Sequence, residues 1–241
     1  MKVWTFQEFS DTLRRELDLQ DSGNFISQDE LASILNEAID QSEIEINKIS
    51  EDYFLSSAAL TLVSGTAEIN LPSTIYAQKI RALIYANGDK IYPIPRIRDP
   101  QKFYKKAEID QYGGSETEYS YLIKSVASAQ DQIVLSPTPQ ESGAYITAWF
   151  IRNANRIPMI GENSATSASQ LATVIDVPEA INFIKQFARV RVFEKEKDPR
   201  YPAAVQTLEA FRKTMVEVLT QRVPDNDDTV PVDISHYLEM N

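Results

Sequence analysis

The fold is decided by the stretch from residue 27 to residue 63, which reads SQDELASILNEAIDQSEIEINKISEDYFLSSAALTLV. Its first four residues, Ser27 to Glu30, form a capping-box motif of the kind that begins a helix. Apolar residues then recur every three or four positions as far as Tyr53, as one buried helix face requires. From residue 56 apolar and polar residues alternate, which is typical of a half-buried strand. The sequence therefore predicts a helical segment followed by a β-rich segment.

Helical patterns also occupy both ends of the chain. Thr5 and Glu8 fit another capping box, which precedes an apolar stripe with helical spacing. The residues 176–179, Asp-Val-Pro-Glu, indicate a further helix start, because proline is favoured in the first turn of a helix. A last helix is predicted from about Tyr201 to Arg222. The chain thus has helices on both sides of its β-rich segment.

The β-rich segment contains short strand patterns separated by turn signals. Ser57–Val63 and Thr66–Leu71 lie on either side of a Ser-Gly pair and predict one hairpin. Lys79–Tyr85 and Lys90–Ile94 lie on either side of an Asn-Gly pair and predict a second. The remaining predicted elements are a helix at Asp99–Ile109, strands at Tyr119–Ser125, Gln132–Leu135 and Ala144–Ile151, and a mobile loop in the low-complexity stretch 161–170.

These patterns together predict an α+β fold. The expected architecture is a helical bundle formed from the N- and C-terminal helices, with an inserted antiparallel β-sandwich or barrel-like domain and an extended C-terminal arm. The predicted segments are residues 1–55 (N-terminal helices), 56–175 (inserted β-rich domain), 176–222 (C-terminal helices) and 223–241 (arm).

The composition excludes several classes of protein. The 241 residues include no cysteine and one histidine, so disulfide frameworks, thiolate metal sites and multi-histidine metal sites are ruled out. The net charge of −11 argues against a protein that wraps nucleic acid, because such binding needs clustered Lys and Arg. No apolar run approaches the roughly 20 residues that cross a bilayer. We expect a soluble protein made in a reducing compartment.

The sequence offers no convincing catalytic or cofactor site. None of the seven glycines belongs to a phosphate-binding motif. The acidic run 225–228 lacks the glycine and the final glutamate of a calcium loop, and Ser235-His236 lies in a tail without a rigid scaffold. Carboxylate pairs can be drawn at will among 35 acids, so none points to a glycosidase. We therefore expect no enzyme activity, no metal and no cofactor.

Charge is distributed unevenly along the chain. Residues 1–55 carry thirteen acids against four bases, whereas residues 177–222 carry six acids against nine bases. One interpretation is that these are ordinary solvated helix faces. The other is that the acidic helices of one copy contact the basic helices of a neighbour, because head-to-tail contacts between unlike surfaces can close a ring. The residues assigned to such contacts are Glu37, Asp40, Glu43, Lys185, Arg189, Arg191 and Arg212.

The C-terminal segment has the composition of a binding tail. Residues 223–241 carry five acids and no base, and the second half restores spaced apolar residues. A segment too short to fold alone that carries such anchors often becomes ordered on a partner. The alternative is a frayed terminus. The candidate anchors are Val230, Val232, Ile234, Tyr237 and Leu238.

The order of motifs along the chain resembles the head–tail adaptor (connector) proteins of tailed bacteriophages, in particular those of short-tailed phages. The motifs that carry the resemblance are Phe9-x3-Leu13-x3-Leu17, INLPSTIY at 69–76, QIVLSPTP at 132–139, YITAWF at 145–150 and the helix start at Val177-Pro178-Glu179. The resemblance covers nearly the whole chain. These motifs are structural turn and strand signatures, not catalytic ones.

The resemblance implies a virion structural protein located at the head–tail interface. Such adaptors form a homo-oligomeric ring, of about twelve copies, beneath the portal protein. They present a platform for the tail nozzle and tail fibres, the segment 223–241 being the arm that lies along the portal. DNA would pass through the channel without specific binding, and an acidic lining would keep it from sticking. Two alternatives stay open: another tail or baseplate subunit that binds a fibre, and a cell-wall glycosidase.

Overall fold

The computed structural model describes residues 3–17, 25–112, 118–125 and 130–222. Within these residues the chain is α+β, with six α-helices and antiparallel sheets. In chain order the elements are β1 (Trp4–Thr5), α1 (Phe6–Glu16), α2 (Gln28–Ile49), β2 (Leu55–Leu62), β3 (Glu68–Asn70), β4 (Ile75–Asn87), β5 (Lys90–Pro93), α3 (Pro100–Tyr112), β6 (Ser120–Lys124), β7 (Gln132–Ser136), β8 (Gly143–Arg152), α4 (Ser167–Leu171), β9 (Val174–Ile175), α5 (Ile181–Glu196) and α6 (Tyr201–Arg222).

The chain divides into two units. The helical unit contains the described parts of Met1–Ser50 and Ala154–Asn241, and the β-rich unit contains those of Glu51–Asn153. Residues 154–175, which the sequence groups with the β-rich segment, therefore lie in the helical unit. The predicted mobile loop at 161–170 also carries regular structure, since a 3-10 turn spans Glu162–Ser164 and α4 begins at Ser167.

The predicted helix starts in the N-terminal segment are confirmed. Thr5 Oγ1 accepts a hydrogen bond from the Glu8 amide at 3.3 Å, and the Glu8 carboxylate accepts one from the Thr5 amide at 3.2 Å. Ser27 Oγ accepts a hydrogen bond from the Glu30 amide at 3.1 Å. These bonds satisfy amides that the first turn of a helix leaves without a backbone partner. The caps therefore set where α1 and α2 begin.

The helices of the helical unit pack through their apolar stripes. The predicted face of α1 is buried at Phe6, Phe9 and Leu13. In α5 the helix proper begins after a 3-10 turn at Pro178–Ala180. A two-stranded antiparallel pairing joins β1 to β9, with Trp4 opposite Ile175. The other fully buried side chains of this core include Leu31, Leu35, Ile39, Ile46, Ile184 and Ala188.

Two antiparallel sheets form the β-rich unit. The four-stranded sheet has the order β2-β8-β4-β5, and the three-stranded sheet has the order β3-β7-β6. The first predicted hairpin is wrong, because β2 pairs with β8 and β3 pairs with β7. Both strands exist, but the long strand β8 can pair with more of β2 than the short strand β3 can. The sequence signal was right about the strands and wrong about their pairing.

The second predicted hairpin is confirmed. β4 pairs with β5, with Asn87 opposite Lys90. Gly88 has φ +60°, so glycine occupies the first central position of a two-residue turn, where a side chain would be strained. The turn residues are therefore Gly88 and Asp89, and Asn87 ends the strand.

Both sheets contribute side chains to one hydrophobic cluster. Ile146 on β8 and Leu83 on β4 come from the four-stranded sheet, and Ile133 and Leu135 on β7 come from the three-stranded one. The cluster also includes the ring of Tyr121 on β6. Burial of this apolar surface from both sides is the main force that holds the two sheets together.

No helix in the described part of the chain has both the length and the apolar character that a membrane-spanning helix needs.

Candidate functional site

The two sets of residues predicted to make contacts have different outcomes. The arm anchors Val230, Val232, Ile234, Tyr237 and Leu238 lie outside the described residues. The charged helix residues are all described, and the structure brings the acidic and basic helices together inside one chain. The candidate site therefore consists first of these charged pairs.

The C-terminal end of α1 meets the middle of α5. The carboxylate of Glu16 accepts hydrogen bonds from both Lys185 and Arg189, which lie one turn apart on α5. Burial raises the pKa of Glu16, but its two cationic partners outweigh that effect and hold the pKa below its ordinary value of 4.5. Glu16 therefore stays charged at neutral pH and bridges two helices.

Helix α2 pairs with both C-terminal helices along its length. Near its start, Glu30 accepts hydrogen bonds from Lys195 Nζ at 2.6 and 2.8 Å. In its middle, Glu37 pairs with Arg191 of α5. Near its end, Glu45 Oε1 lies 2.9 Å from Arg212 Nη2 of α6. The contacts between these helices thus join the acidic segment and the basic segment that the sequence shows.

Most of these ion pairs are partly exposed. The side chains of Glu37 and Arg191, for example, are 44% and 38% exposed. Pairs in such surroundings contribute only about 0.2–1 kcal/mol each, because water screens them. Their larger effect is on specificity, since they favour one register of the acidic helices against the basic ones.

Glu43 differs from its acidic neighbours because it is buried. Its side chain is 3% exposed, and its Oε2 lies 2.8 Å from Arg156 Nη2. Its Oε1 accepts a hydrogen bond from the backbone amide of Ala154 at 2.6 Å. Asp40, one turn earlier, also pairs with Arg156. Glu43 therefore anchors the backbone that follows β8 to the face of α2.

Three polar residues of α2, spaced seven apart, hold the segment 154–170. Asn36 donates to the carbonyl of Ile157 at 2.9 Å and accepts from its amide at 2.8 Å. Asp29 accepts from the side-chain amide of Gln170 at 2.8 Å, and Glu43 completes the row. Residues seven apart lie on one side of a helix, so the row forms a polar stripe. This stripe was not predicted from the sequence, although its heptad spacing next to an apolar face was a usable signal.

Every residue assigned to contacts between copies has a partner within its own chain. Lys185 and Arg189 share Glu16, and Arg212 lies 2.9 Å from Glu45. The contact between copies stays a prediction. Since Glu43 is almost fully buried, such a contact would depend on the exposed members of the set, Glu37, Asp40, Arg191 and Arg212.

We expect the free energy of unfolding to fall in acid because of these carboxylates. The pKa of Glu16 and that of Glu45 lie below their ordinary value of 4.5. Since the folded chain holds these protons less tightly than the unfolded chain, the stabilisation is complete above about pH 4.5 and is lost as pH falls through the lowered pKa values. Urea unfolding between about pH 7 and pH 3 measures it. The variant Glu16→Gln should show a weaker dependence on pH in this range; an unchanged dependence would contradict the assignment.

The β-rich unit contains an open cavity of about 850 Å³ beside α3 and the end of β7. Aromatic and acidic side chains line it, among them Tyr119 and Glu141. Burial raises the pKa of Tyr119 to about 12, and the Glu141 carboxylate adds to the effect. Glu141 accepts hydrogen bonds from the Tyr85 hydroxyl and from Asn87 Nδ2, the latter at 2.8 Å. These bonds tie the loop before β8 to β4, which is a structural role.

On the outer face of the four-stranded sheet, uncharged residues lie directly on either side of Trp149. Trp149 on β8 lies between Ser57 of β2 and Ala82 of β4, and its side chain is 39% exposed. Ile84 and Ile91 extend the same face toward the β5 edge. The structure thus presents an apolar surface on this sheet.

Among the described residues, no group of three His, Cys, Asp or Glu side chains could hold a metal ion.

Comparison with known proteins identifies a family that this chain matches. The model of the family described as "SU10 adaptor protein" matches residues 4–233, which is nearly the whole chain. A search of curated proteins found no match.

Proposed function

Because the chain belongs to the SU10 adaptor protein family, we propose that it forms a ring that binds beneath the portal of a short-tailed bacteriophage. The family is one of structural phage proteins with a head–tail adaptor role and is not an enzyme family. The protein is thus a virion component. The ring, of about twelve copies, would give the tail nozzle and fibres their attachment platform.

The family match over residues 4–233 is the observation that carries the proposal. The organisation of the chain supports it, because residues from both ends form the helical unit and the β-rich unit lies between them in sequence. We propose that the helical units act as a bundle that builds the ring. The β-rich unit would then be an inserted sandwich-like domain.

Neighbouring copies would meet through exposed charges of their helical units. Glu37, Asp40 and Arg212 keep between 44% and 54% of their side-chain surface exposed. A carboxylate or guanidinium can accept a second partner while it keeps the first. Acidic side chains directed to the channel would repel the DNA phosphates, so DNA would slide through without binding.

The β-rich unit offers a surface for the tail nozzle and fibre proteins. Its uncharged sheet face around Trp149 has the composition of a protein interface, in which aromatic residues are enriched and charged residues depleted. The proposal thus assigns assembly to the helices and partner binding to the sheet and the arm.

The test of portal binding uses the arm. We expect the full chain to form a stable complex with the portal protein of the same phage, measured by sedimentation and by electron microscopy of the rings. A chain that ends at Arg222 should lose this complex, because the apolar anchors supply the buried contacts. A full-length variant in which Val230, Val232, Ile234, Tyr237 and Leu238 are replaced by serine should lose it as well.

The matched control for the arm is Trp149→Ser, which removes an exposed apolar side chain from the β-rich unit. It should keep the portal complex and weaken the binding of a tail nozzle or fibre protein. Portal binding by the truncated chain at the affinity of the full chain would refute the role of the arm.

A further inference from the structure

A cluster of positive charges lies at the start of α3 in this acidic protein. Arg96, Arg98, Lys102 and Lys105 are all exposed. None of them forms an ion pair or a hydrogen bond through its side chain to another described residue. Only Asp99 interrupts the run, and its carboxylate accepts a hydrogen bond from the Gln101 amide at 2.9 Å. We call these four cations the basic patch.

The backbone places the arginines of the basic patch side by side. Ile97 donates its amide to the carbonyl of Tyr121 at 2.8 Å, and Tyr121 donates to the carbonyl of Pro95 at 3.0 Å. Residues 95–97 therefore run along the edge of β6 as a short added strand. In an extended segment alternate side chains share a side, so Arg96 and Arg98 lie on the same side of it.

The electrostatic surroundings of Tyr121 agree with this arrangement. Burial raises the pKa of Tyr121, and the charges of both Arg96 and Arg98 act in the opposite direction. Both guanidinium charges therefore act on the same phenol group. Lys102 and Lys105 follow on the first turns of α3, with the exposed ring of Tyr104 between them in sequence.

The basic patch is unusual among the cations of the described residues. In the helical unit Lys185, Arg189, Arg191, Lys195 and Arg212 are all paired with carboxylates. Elsewhere Arg14 also lacks a carboxylate partner among the described residues, but it donates to the carbonyl of Ile26 at 3.0 Å. The exposed cations Arg15, Lys197 and Lys213 are far apart in sequence. Four like charges close together repel one another, and this cost is recovered when an anionic partner binds.

The chain itself contains a complementary segment. Residues 223–241 carry five acids and no base, and three of the acids, Asp225, Asp227 and Asp228, lie within four positions. Clustered carboxylates opposite clustered guanidinium and ammonium groups form charge-assisted hydrogen bonds and speed association.

We propose that the acidic run 225–228 of one copy binds the basic patch of a neighbouring copy. This rests on the proposed function, because it requires copies to lie side by side in the ring. It divides the tail between two partners: the acidic first half links adjacent copies, and the apolar anchors from Val230 onward remain for the portal. The contact is electrostatic, so it weakens as salt rises.

The test exchanges charges between two full-length variants. The patch variant carries Arg96→Glu and Arg98→Glu, and the tail variant carries Asp227→Lys and Asp228→Lys. In either variant alone, the patch and the run 225–228 carry charges of the same sign and repel each other. Self-association at low salt should therefore weaken by about tenfold or more. In an equimolar mixture, each patch meets an oppositely charged tail. Sedimentation velocity should show association restored to within about threefold of the unaltered chain.

The matched control is the double variant Arg15→Glu and Lys197→Glu, which reverses two exposed cations that are not assigned to contacts between copies and changes the net charge by the same amount as the patch variant. Its self-association should stay close to that of the unaltered chain. Circular dichroism and melting temperature of all variants check that each one is folded.

Several outcomes would overturn the inference. The first is an unaltered chain that stays monomeric at low salt, and the second is a patch variant that associates normally. The third is a mixture of the two variants whose association is not restored, which would place the contact within one chain. Loss of DNA retention by the patch variant with unchanged self-association would assign the patch to nucleic acid. The two proposals can fail separately. If the serine variant of the arm loses the portal complex but the mixture of patch and tail variants does not regain association, the proposed function stands and this contact is refuted.

Discussion

Replacement of Glu43 by alanine is expected to lower the free energy of unfolding by about 2–4 kcal/mol. The side chain is 3% exposed and holds two partners, Arg156 Nη2 at 2.8 Å and the Ala154 amide at 2.6 Å. Without the carboxylate, the amide of Ala154 loses its acceptor in a buried position. The loss falls below that of a fully buried pair, because Arg156 is 37% exposed and water can solvate it.

The matched control is Glu37→Ala, on the same helix. Its carboxylate pairs with Arg191, but the side chain is 44% exposed, so the expected loss is no more than about 1 kcal/mol. Both variants replace glutamate by alanine inside α2, so the difference in helix propensity cancels. Urea unfolding at neutral pH measures both. Equal losses for the two variants would contradict the anchoring role of Glu43.

Replacement of Ile146 by alanine should lower the free energy of unfolding of the β-rich unit by about 2–5 kcal/mol. The side chain is fully buried on β8, and its neighbours across the sheet are Leu60 and Tyr85. Removal of its methyl groups leaves a cavity that the surrounding strands fill only in part. Because Ile133 of the other sheet belongs to the same cluster, amide exchange should quicken in both sheets.

Ile91→Ala provides the control for that loss. Ile91 lies on β5 of the same sheet, but its side chain is 69% exposed, so the expected change is within about 0.5 kcal/mol. Chemical unfolding followed by tryptophan fluorescence, together with hydrogen exchange, measures both variants. Faster exchange in the four-stranded sheet alone would contradict a core shared by the two sheets.

The sequence predicted the helical elements well because the signals for helices are local. Thr5 and Ser27 cap their helices through bonds to residues only three positions away. The predicted last helix, from Tyr201 to Arg222, agrees with α6 at both ends. The apolar stripe of α2 is buried at Leu35 and Ile39, as the spacing requires.

The pairing of the strands was less predictable. The hairpin around Gly88 was found because a two-residue turn joins β4 and β5 directly. The strands at Leu55–Leu62 and Glu68–Asn70 were found as strands, but the short connection between them suggested a hairpin that does not form. Their partners lie more than sixty residues later in the chain, and no local pattern records so distant a pairing.

The candidate contact surfaces were likewise predictable only in part. The acidic and basic helix faces were recognised from charge counts, and the basic patch at Arg96 to Lys105 is visible in the sequence as a run of cations. Only the tertiary structure decides that the helix charges pair within one chain, whereas the patch cations have no partner among the described residues.

By itself the sequence determined the helix starts, the strand segments, the separation of charge along the chain and the absence of cysteine chemistry. These properties depend on neighbouring residues or on composition. The tertiary structure alone decided that β8 is the common partner of β2 and β4, that Glu43 is buried while Glu37 is not, and that residues 154–170 lie on α2. The physical reason is that burial and pairing depend on which distant segments meet, and those contacts form only when the whole chain has folded.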